Sequence, residues 1–585
     1  MKKLILLVLG LYAAVSVNAS TSITTPTVSG HWTLTGSPYL VYNNIQVPAS
    51  QALIIDPGVE VVFQGSYAMK VSGILYATGT SAQPINIHVN DTSGWWNDSV
   101  VNGGWLGIGF DAYTGSGTDS SILEYCNISE VKIPLVSSAL AMARGIPIKN
   151  CSFQNNKGGT LLYFYYYTPQ TIEISGCTIT NNSFGNIIFV SNFFGGSTYI
   201  HDNHIYQNTA ATRIITGMAV NLLFEKNEVD HNTSRFGTMF LCAGIGFDSI
   251  DSKATITGNK IHHNINENIG ALCFYSGFID IRNNLICNNQ HTSGFCGITD
   301  GGGAMNLAYN SPTPIDSTFY TIRNNVIANN YSPYHGGAIK IHRARASITN
   351  NQVVNNTSPA AGSIYVFGTS PLVCKNNIFY GNTATGSTSL LSPVVEGPLL
   401  STILFENNWK EHSSLIDIGT YTSIGDTTTN ITGTSPGFSA PTLTTSVTED
   451  AVTADFWLVP GSACIDMGDT TSALTLSTDC AGNTRLVGNI DIGAYEFATT
   501  LGLPPGRVPP SITAYPNPAV NVLFIRTPVA NGNISILNAV GKKISESTVS
   551  RTLTYFDIHT IPRGIYFAIW DNGAGTKATQ KIILE

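Results

Sequence analysis

Cys177-Thr-Ile179-Thr-Asn-Asn182, Asn203-His-Ile205-Tyr-Gln-Asn208 and Asn227-Glu-Val229-Asp-His-Asn232 are successive copies of one phrase, and that phrase decides the fold. It reads Asn or Cys, any residue, an apolar residue, two more residues, then Asn. An earlier copy is Cys151/Phe153/Asn156. Later ones are Asn259/Ile261/Asn264, Asn284/Ile286/Asn289, Asn325/Ile327/Asn330, Asn351/Val353/Asn356 and Asn377/Phe379/Asn382. Their first positions lie 26, 26, 24, 32, 25, 41, 26 and 26 residues apart. The basic period is therefore near 25, with insertions in two steps, and a fixed period of roughly 20–50 residues marks a solenoid.

Helical repeats need ten or so residues of 3.6 spacing rich in Ala, Leu, Glu and Lys. These repeats instead hold short Ile/Val/Phe alternations broken by Asn-Asn and Gly-Gly, which is strand and turn chemistry. The fold class is all-β. One period makes a coil of three short strands and three turns, and stacked coils join into parallel sheets roughly 4.8 Å apart. An Asn at the same turn of every coil can stack its amide on its neighbours and bond the turn backbone. The Asn pairs are thus expected to be a structural ladder rather than a binding motif. Cys126, Cys151 and Cys177 hold the same register; they fill that slot as packed thiols, or two of them form a bridge between rungs.

A second strand aligns in the same coils: Gly185-Asn-Ile187-Ile-Phe189, Gly217-Met218-Ala-Val220, Gly244-Ile245-Gly-Phe247, Gly270-Ala-Leu272-Cys-Phe274, Gly303-Ala-Met305-Asn-Leu307, Gly337-Ala-Ile339-Lys-Ile341 and Gly362-Ser-Ile364-Tyr-Val366. With a period of two, the numbered apolar residues point inward. The residues between them form an outward stripe carrying Asp248, Cys273, Tyr275, Asn306, Lys340, His342, Tyr365 and Phe367. A slip of one residue would bury Lys340 and Asp248 and expose the aliphatics. This stripe is the first place to look for function, and the long steps before Asn259 and Asn325 imply insertions that wall it.

Met1-Lys2-Lys3, the apolar run Leu4 to Val17 and Val17-Asn18-Ala19 before Ser20 read as a secretory signal peptide, too short to span a membrane. No Cys follows the cleavage point, which argues against a lipid anchor, and no later segment is long and apolar enough to cross a bilayer. Charged residues are 11 %, under half the usual share, while Gly is 56 and Tyr and Phe are 25 each. A net charge of -8 over 585 residues provides no field for nucleic acid or anionic lipid. Ten Cys in so long a chain do not make a disulfide scaffold.

Residues 20–120 read as a cap and the first coils. Ala52-Leu-Ile-Ile-Asp56-Pro57-Gly58-Val59-Glu-Val-Val-Phe63 is a strand, a Pro-Gly turn and a strand, and Val71 to Ala77 repeats that logic. Trp95, Trp96 and Trp105 are expected over the end of the stack, where they stop edge-to-edge addition; stacking on sugars is the other reading. The run of coils over 40–410, with Asp56-Pro57-Gly58-Val59 upstream, resembles bacterial right-handed parallel β-helix repeat proteins. That resemblance implies the fold and says little of function, because the family includes polysaccharide lyases, glycoside hydrolases and non-catalytic surface proteins.

The repeats extend over 121–415 and a closing segment over 416–497. Cys464-Ile-Asp466-Met-Gly468-Asp469, Asp479-Cys480-Ala-Gly482 and Asp491-Ile492-Gly493-Ala494-Tyr495-Glu496 are similar to the segment that often follows such helices in anchored surface proteins. Closure of the solenoid's end is the expected job. The functional alternative is a calcium site built from Asp466, Asp469, Asp479 and Asp491; no other cofactor or metal is implied. Cys464 and Cys480, close in sequence in an oxidising compartment, are a disulfide candidate.

A Pro-rich linker over 498–511 precedes Tyr515-Pro516-Asn517-Pro518, Gly541-Lys542, Gly564-Ile565-Tyr566 and Lys581-Ile582. These short alternating strands over 512–585 make a small antiparallel sandwich. The pattern resembles the C-terminal sorting domain of type IX secretion substrates from Bacteroidetes-type bacteria. The resemblance implies the type IX machinery as a partner and a secreted or outer-membrane-surface location.

A glycosidase on a β-helix needs two carboxylates roughly 5–9.5 Å apart, and Asp248 is the only one on the stripe. Loop carboxylates such as Asp251, Asp280 and Asp300 keep a hydrolase open. A lyase needs a base near the sugar C5 proton and a cation for the uronate. Lys340 or His342 would be base and Arg343 or Arg345 the neutraliser, with Tyr334 and His335 beside them. Asp248, Tyr275, Asn306, Tyr365 and Phe367 would contact the substrate. The blander reading is that the basic side chains solvate an exposed face. The chain is therefore expected to contact an extracellular polysaccharide, either as a polysaccharide lyase or as a non-catalytic adhesin.

Overall fold

The computed structural model describes residues 20–584 except 101, 113–120, 134–137, 167–169, 193–195, 219–220, 243–252, 294–300, 309–317, 368–369, 387–394, 397–402, 412–425, 472–475, 498–511, 516, 520–521, 528–530, 551–552 and 573–576, with the backbone alone of 166, 192, 367, 395–396, 513, 515 and 553. The expected leader therefore lies outside the described residues. The chain divides into two compact units at Phe497/Ala498.

One coil shows why this sequence winds as it does. Strand Ile172–Ser175 is followed by Gly176 at φ 64°, strand Thr178–Thr180 by Asn181 at φ 56°, and strand Ser183–Asn192 then completes the circuit. Two left-handed residues turn the chain sharply, and Gly and Asn tolerate that region best. Asn takes the first bend again at 150, 283, 324, 350, 376 and 407, and the second at 155, 288, 329 and 355. Each strand then pairs in parallel with its counterpart one coil on, giving three long sheets that run together from Thr21 to Gly433: the first sheet holds Thr178–Thr180, the second Ser183–Asn192 and the third Ile172–Ser175.

The second Asn of each pair is the ladder. Asn182 donates its Nδ2 to Asn208 Oδ1 at 2.9 Å and to Phe153 O at 2.9 Å, and Asn208, Asn232, Asn264 and Asn289 repeat the pattern. A second ladder, at the other bend, runs from Asn203 through Asn227, Asn259, Asn284 and Asn325 to Asn408. Cys126, Cys151 and Cys177 start that column as buried free thiols, and Cys177 N–H donates to Asn203 Oδ1 at 2.9 Å.

The second sheet keeps the predicted faces for Leu272/Phe274, Met305/Leu307, Ile339/Ile341 and Ile364/Val366, all in the aliphatic core. Earlier rungs differ. Ile188 pairs with Ile215 and that with Met239, while Gly217 stands between Val190 and Leu241. Strand Met239–Cys242 is thus the rung, in place of the copy expected at Gly244, and Phe189 faces out half-buried while Val190 faces in. Glycine was a poor anchor for the alignment because the turn before each strand varies in length. Trp105 also departs from expectation. It is fully buried inside the stack, stacked on Phe63 at 4.4 Å, with its indole donating to Ser129 O.

The closing segment does more than finish the stack. Strand Ile431–Gly433 pairs with Trp409–Glu411 as a last rung, and the chain then folds back along the outer face of the first sheet. Asn355, Asn329 and Asn288 donate in turn to the carbonyls of Thr442, Thr444 and Val447. On that face Cys287, Val326, Ala328, Val354 and Ile378 pack against Phe438, Phe456, Leu458 and Ile492. The covered coils carry apolar outward residues, so the segment buries a face rather than an end. Cys464 and Cys480 are both free thiols, not a bridge. Burial pushes each up to about 12, and Cys480 N–H is held by Ala494 O at 2.9 Å.

The second unit is antiparallel. Strands Thr513–Tyr515, Val522–Arg526 and Leu553–Asp557 form one sheet; Asn533–Asn538, Lys543–Thr548, Gly564–Asp571 and Lys577–Leu584 form the other. Leu523, Ile525, Ile534, Ile536, Trp570 and Ile582 fill the space between them. Tyr566 is buried and donates its hydroxyl to Pro562 O at 2.6 Å. Gly541, at φ 81°, makes the turn before Lys542, and Lys581 lies exposed on the last strand. Pro518 is exposed, and Pro516 falls outside the described residues. Among the described residues no helix is long and apolar enough to cross a membrane.

Candidate functional site

The stripe holding the expected site points away from the aliphatic core, yet it is not open. Asn306, Lys340 and Tyr365 succeed one another on adjacent rungs, with Ala308, His342 and Phe367 two positions on. Lys340 is 3 % exposed, His342 2 % and Tyr365 8 %, and Asn306 is fully buried. The turn after Tyr331 folds back over them, and the His335 ring stacks on Tyr365 at 4.2 Å. Gly301 crosses Lys340 so closely that a Cβ there would meet Lys340 Cδ at 2.7 Å. The expectation of a solvated ridge fails because these turns cover it.

Beneath the cover three imidazoles surround the lysine. His291 approaches Ser332 Oγ at 3.5 Å and lies 5.6 Å from the Tyr334 ring. Burial, and then the Lys340 charge, lowers His291 and His342 to about 4, and lowers His335 as well. Arg343 is exposed, at φ 50° in the bend after strand Ile339–His342. Tyr275 is half-buried, edge-on to Phe240 at 5.2 Å. Phe367 ends strand Ile364–Phe367, and Asp248, Asp251 and Asp300 lie outside the described residues, as do most of the inserted segments. Asp280 is not a loop carboxylate: it sits in strand Gly277–Arg282 and pairs with Arg282 at 2.8 Å and Arg323 at 2.9 Å.

The acids of the closing segment bond mostly to backbone amides. Asp479 accepts from the N–H of Ala481, Asn483 and Glu496. Asp491 accepts from Asp466 N–H at 2.7 Å, Asp466 from Asn489 N–H at 2.9 Å, and Asp469 pairs with Lys375 at 3.2 Å.

An open site does exist at Trp95 and Trp96. Two lysines on consecutive rungs, Lys132 and Lys157, build it. Lys132 is 4 % exposed and donates to the carbonyls of Gly94, Asn97 and Asn102 at 2.7–2.8 Å. Lys157 pairs with Asp98 at 2.6 Å and stands 4.8 Å from the Trp95 ring. The loop so pinned leaves Trp96 90 % exposed. Beside it lies a cavity of about 760 Å³ lined by Trp95, Trp96, Asp98, Glu130 and, on later coils, Asn155, Asn181 and Gln207. Desolvation lowers Lys132, and the bond to Lys157 lowers Asp98. The tryptophans were legible in the sequence; their partners were missed, although Asn155, Asn181 and Gln207 recur at one turn of the repeat. A histidine group on the first sheet, around Asp230, was also missed.

Residues 143–312 match the family model described as the right handed beta helix region, and residues 513–585 the model described as the secretion system C-terminal sorting domain. Comparison with curated proteins gave no match. The chain is a right-handed β-helix protein. Its tail makes it a substrate of type IX secretion, exported to the cell surface or the extracellular space.

Proposed function

We propose that this exported β-helix binds an extracellular polysaccharide at the Trp95–Trp96 platform and does not cleave it. The observation that carries the reading is an indole 90 % exposed beside a groove of amide side chains repeated coil after coil. A flat aromatic face takes the apolar face of a sugar ring, and amides and carboxylates take its hydroxyls. The lyase reading fares worse because a base has to meet the sugar C5 proton, and Lys340 and His342 are buried.

The purified chain is to be titrated with a panel of neutral and uronic-acid polymers, following both binding and the ultraviolet absorbance of unsaturated ends. Binding without new absorbance is expected, weakened roughly tenfold or more in Trp96→Ala. Equal binding by Trp96→Ala overturns the site. Cleavage abolished by Lys340→Ala restores the lyase.

A further inference from the structure

On the first sheet, His204, Glu228 and Lys260 face outward on successive rungs, followed two positions on by Tyr206, Asp230 and His262. Asp230 holds two imidazoles, His204 Nε2 at 2.7 Å on one oxygen and His231 Nδ1 at 2.6 Å on the other. His262 Nδ1 lies 3.0 Å from His263 Nδ1, and the His231 and His263 rings stack at 4.9 Å. One ligand atom each from Asp230, His231 and His262 lies within 4.8 Å of the others.

Fold requirements do not explain these histidines. His231 and His263 occupy the left-handed bend, at φ 52° and 53°, that is Asn at 155, 181, 288, 329 and 355. Asn suits that backbone better than His, since its short side chain bonds locally. Two consecutive coils nevertheless replace it with imidazole, and they are the coils whose strands supply Asp230 and His262.

We propose that Asp230, His231 and His262 bind a late first-row divalent metal ion, Zn²⁺ in the first instance, with His263 as fourth ligand and His204 orienting the Asp230 carboxylate. Imidazole nitrogen with one carboxylate suits Zn²⁺, Ni²⁺ or Cu²⁺, whereas Ca²⁺ calls for six or more oxygens. Zinc–ligand bonds of about 2.0–2.1 Å put tetrahedral ligand atoms roughly 3.4 Å apart. The ligand atoms of Asp230, His231 and His262, all within 4.8 Å of one another, would draw in to that distance around the ion. A hydrogen bond from His204 to the other oxygen is the outer-shell support that metal-bound carboxylates use. The ion would tie two coils together beside the end of the closing segment's cover.

The untagged full chain, stripped with a chelator, is to be dialysed against Zn²⁺ alone and, separately, Co²⁺. One equivalent of Zn²⁺ and a tetrahedral visible spectrum with Co²⁺ are expected, with Ca²⁺ failing to compete. His231→Asn places at this bend the residue found there at 155, 181, 288, 329 and 355, so it folds; His262→Asn tests the strand ligand. Each should weaken Zn²⁺ at least tenfold while the metal-free circular dichroism stays that of the parent. Absence of stoichiometric Zn²⁺, or unchanged affinity in His231→Asn, overturns the proposal.

Discussion

Asn182 Oδ1 accepts two hydrogen bonds from one residue, Asn156: its backbone N–H at 3.1 Å and its side-chain Nδ2 at 2.9 Å. The same double contact joins Asn330 Oδ1 to Asn289, at 3.1 and 3.0 Å, in the middle of the stack. Each amide therefore satisfies the backbone of one coil and passes its own protons to the next. Both groups are cut off from water, so the ladder is a requirement of burial as much as a source of attraction.

Asn330→Ala would leave the buried Asn289 N–H without its acceptor and take from the carbonyl of Ile286 the bond it receives from Asn330 Nδ2 at 2.9 Å. A loss of about 1–3 kcal/mol follows from the one buried orphan. Asn330→Asp should be worse, because it keeps the acceptor but sets a carboxylate against Asn356 Oδ1 and two carbonyls. Urea midpoints of the parent and both variants check the order; an Asp variant as stable as the parent contradicts it.

The phrase that repeats was enough to read the coil, since left-handed bends and amide ladders both select Asn and print a period on the chain. Exposure of the stripe was not readable. Period two tells which side of the strand Lys340 occupies, but not that Gly301 and His335 lie across it, because that depends on turns with no period. The covering of Cys287, Val326 and Val354 has the same cause: the residues that do it, such as Phe456, lie over a hundred positions away in sequence. Trp105 looked like Trp96 on paper, and only the contact with Phe63 separates a core indole from an exposed one.

Lowered imidazoles make the cover acid-sensitive. His291 and His342 titrate at about 4 in the folded chain, against about 6.5 when unfolded. Between those values the unfolded state binds more protons, so stability falls as pH drops from about 6.5 to about 4 and is level, for these groups, outside that window. Lys340 faces both rings and Arg343 acts on His342, and each opposes charging. His291→Gln should flatten the dependence, read as urea midpoints at several pH values between those limits; an unaltered slope would falsify the account.

Phe456 is 3 % exposed and meets Phe438 edge-on at 5.8 Å, within the cover over the first sheet. Phe456→Ala should cost about 3 kcal/mol or more through lost burial and the cavity left behind. The damage should be local. Limited proteolysis ought to cut within 434–497 first while the coils before Cys287 stay resistant, and simultaneous cutting throughout would mean that the segment and the stack unfold as one.

In the sorting domain Asn517 ties the opening turn to the last strand. Its Nδ2 donates to Lys581 O at 3.0 Å, and its Oδ1 accepts from Ile583 N–H at 2.8 Å; two residues on, Ala519 N–H reaches Ile583 O at 2.9 Å. Asn517 is exposed, so the two bonds stabilise the domain by only about 1 kcal/mol in total. The side chain nevertheless joins the turn that carries Pro518 to the strand that carries Lys581, two of the residues that make the tail recognisable in sequence. Asn517→Ala should leave the domain folded, with a thermal midpoint near the parent's, and sharply reduce delivery to the surface of a host with type IX secretion. Asn517→Asp keeps the acceptor and loses the donor, so its delivery should fall between the two. Full export of Asn517→Ala would mean that the machinery reads the two sheets themselves, and that the joined ends serve the fold alone.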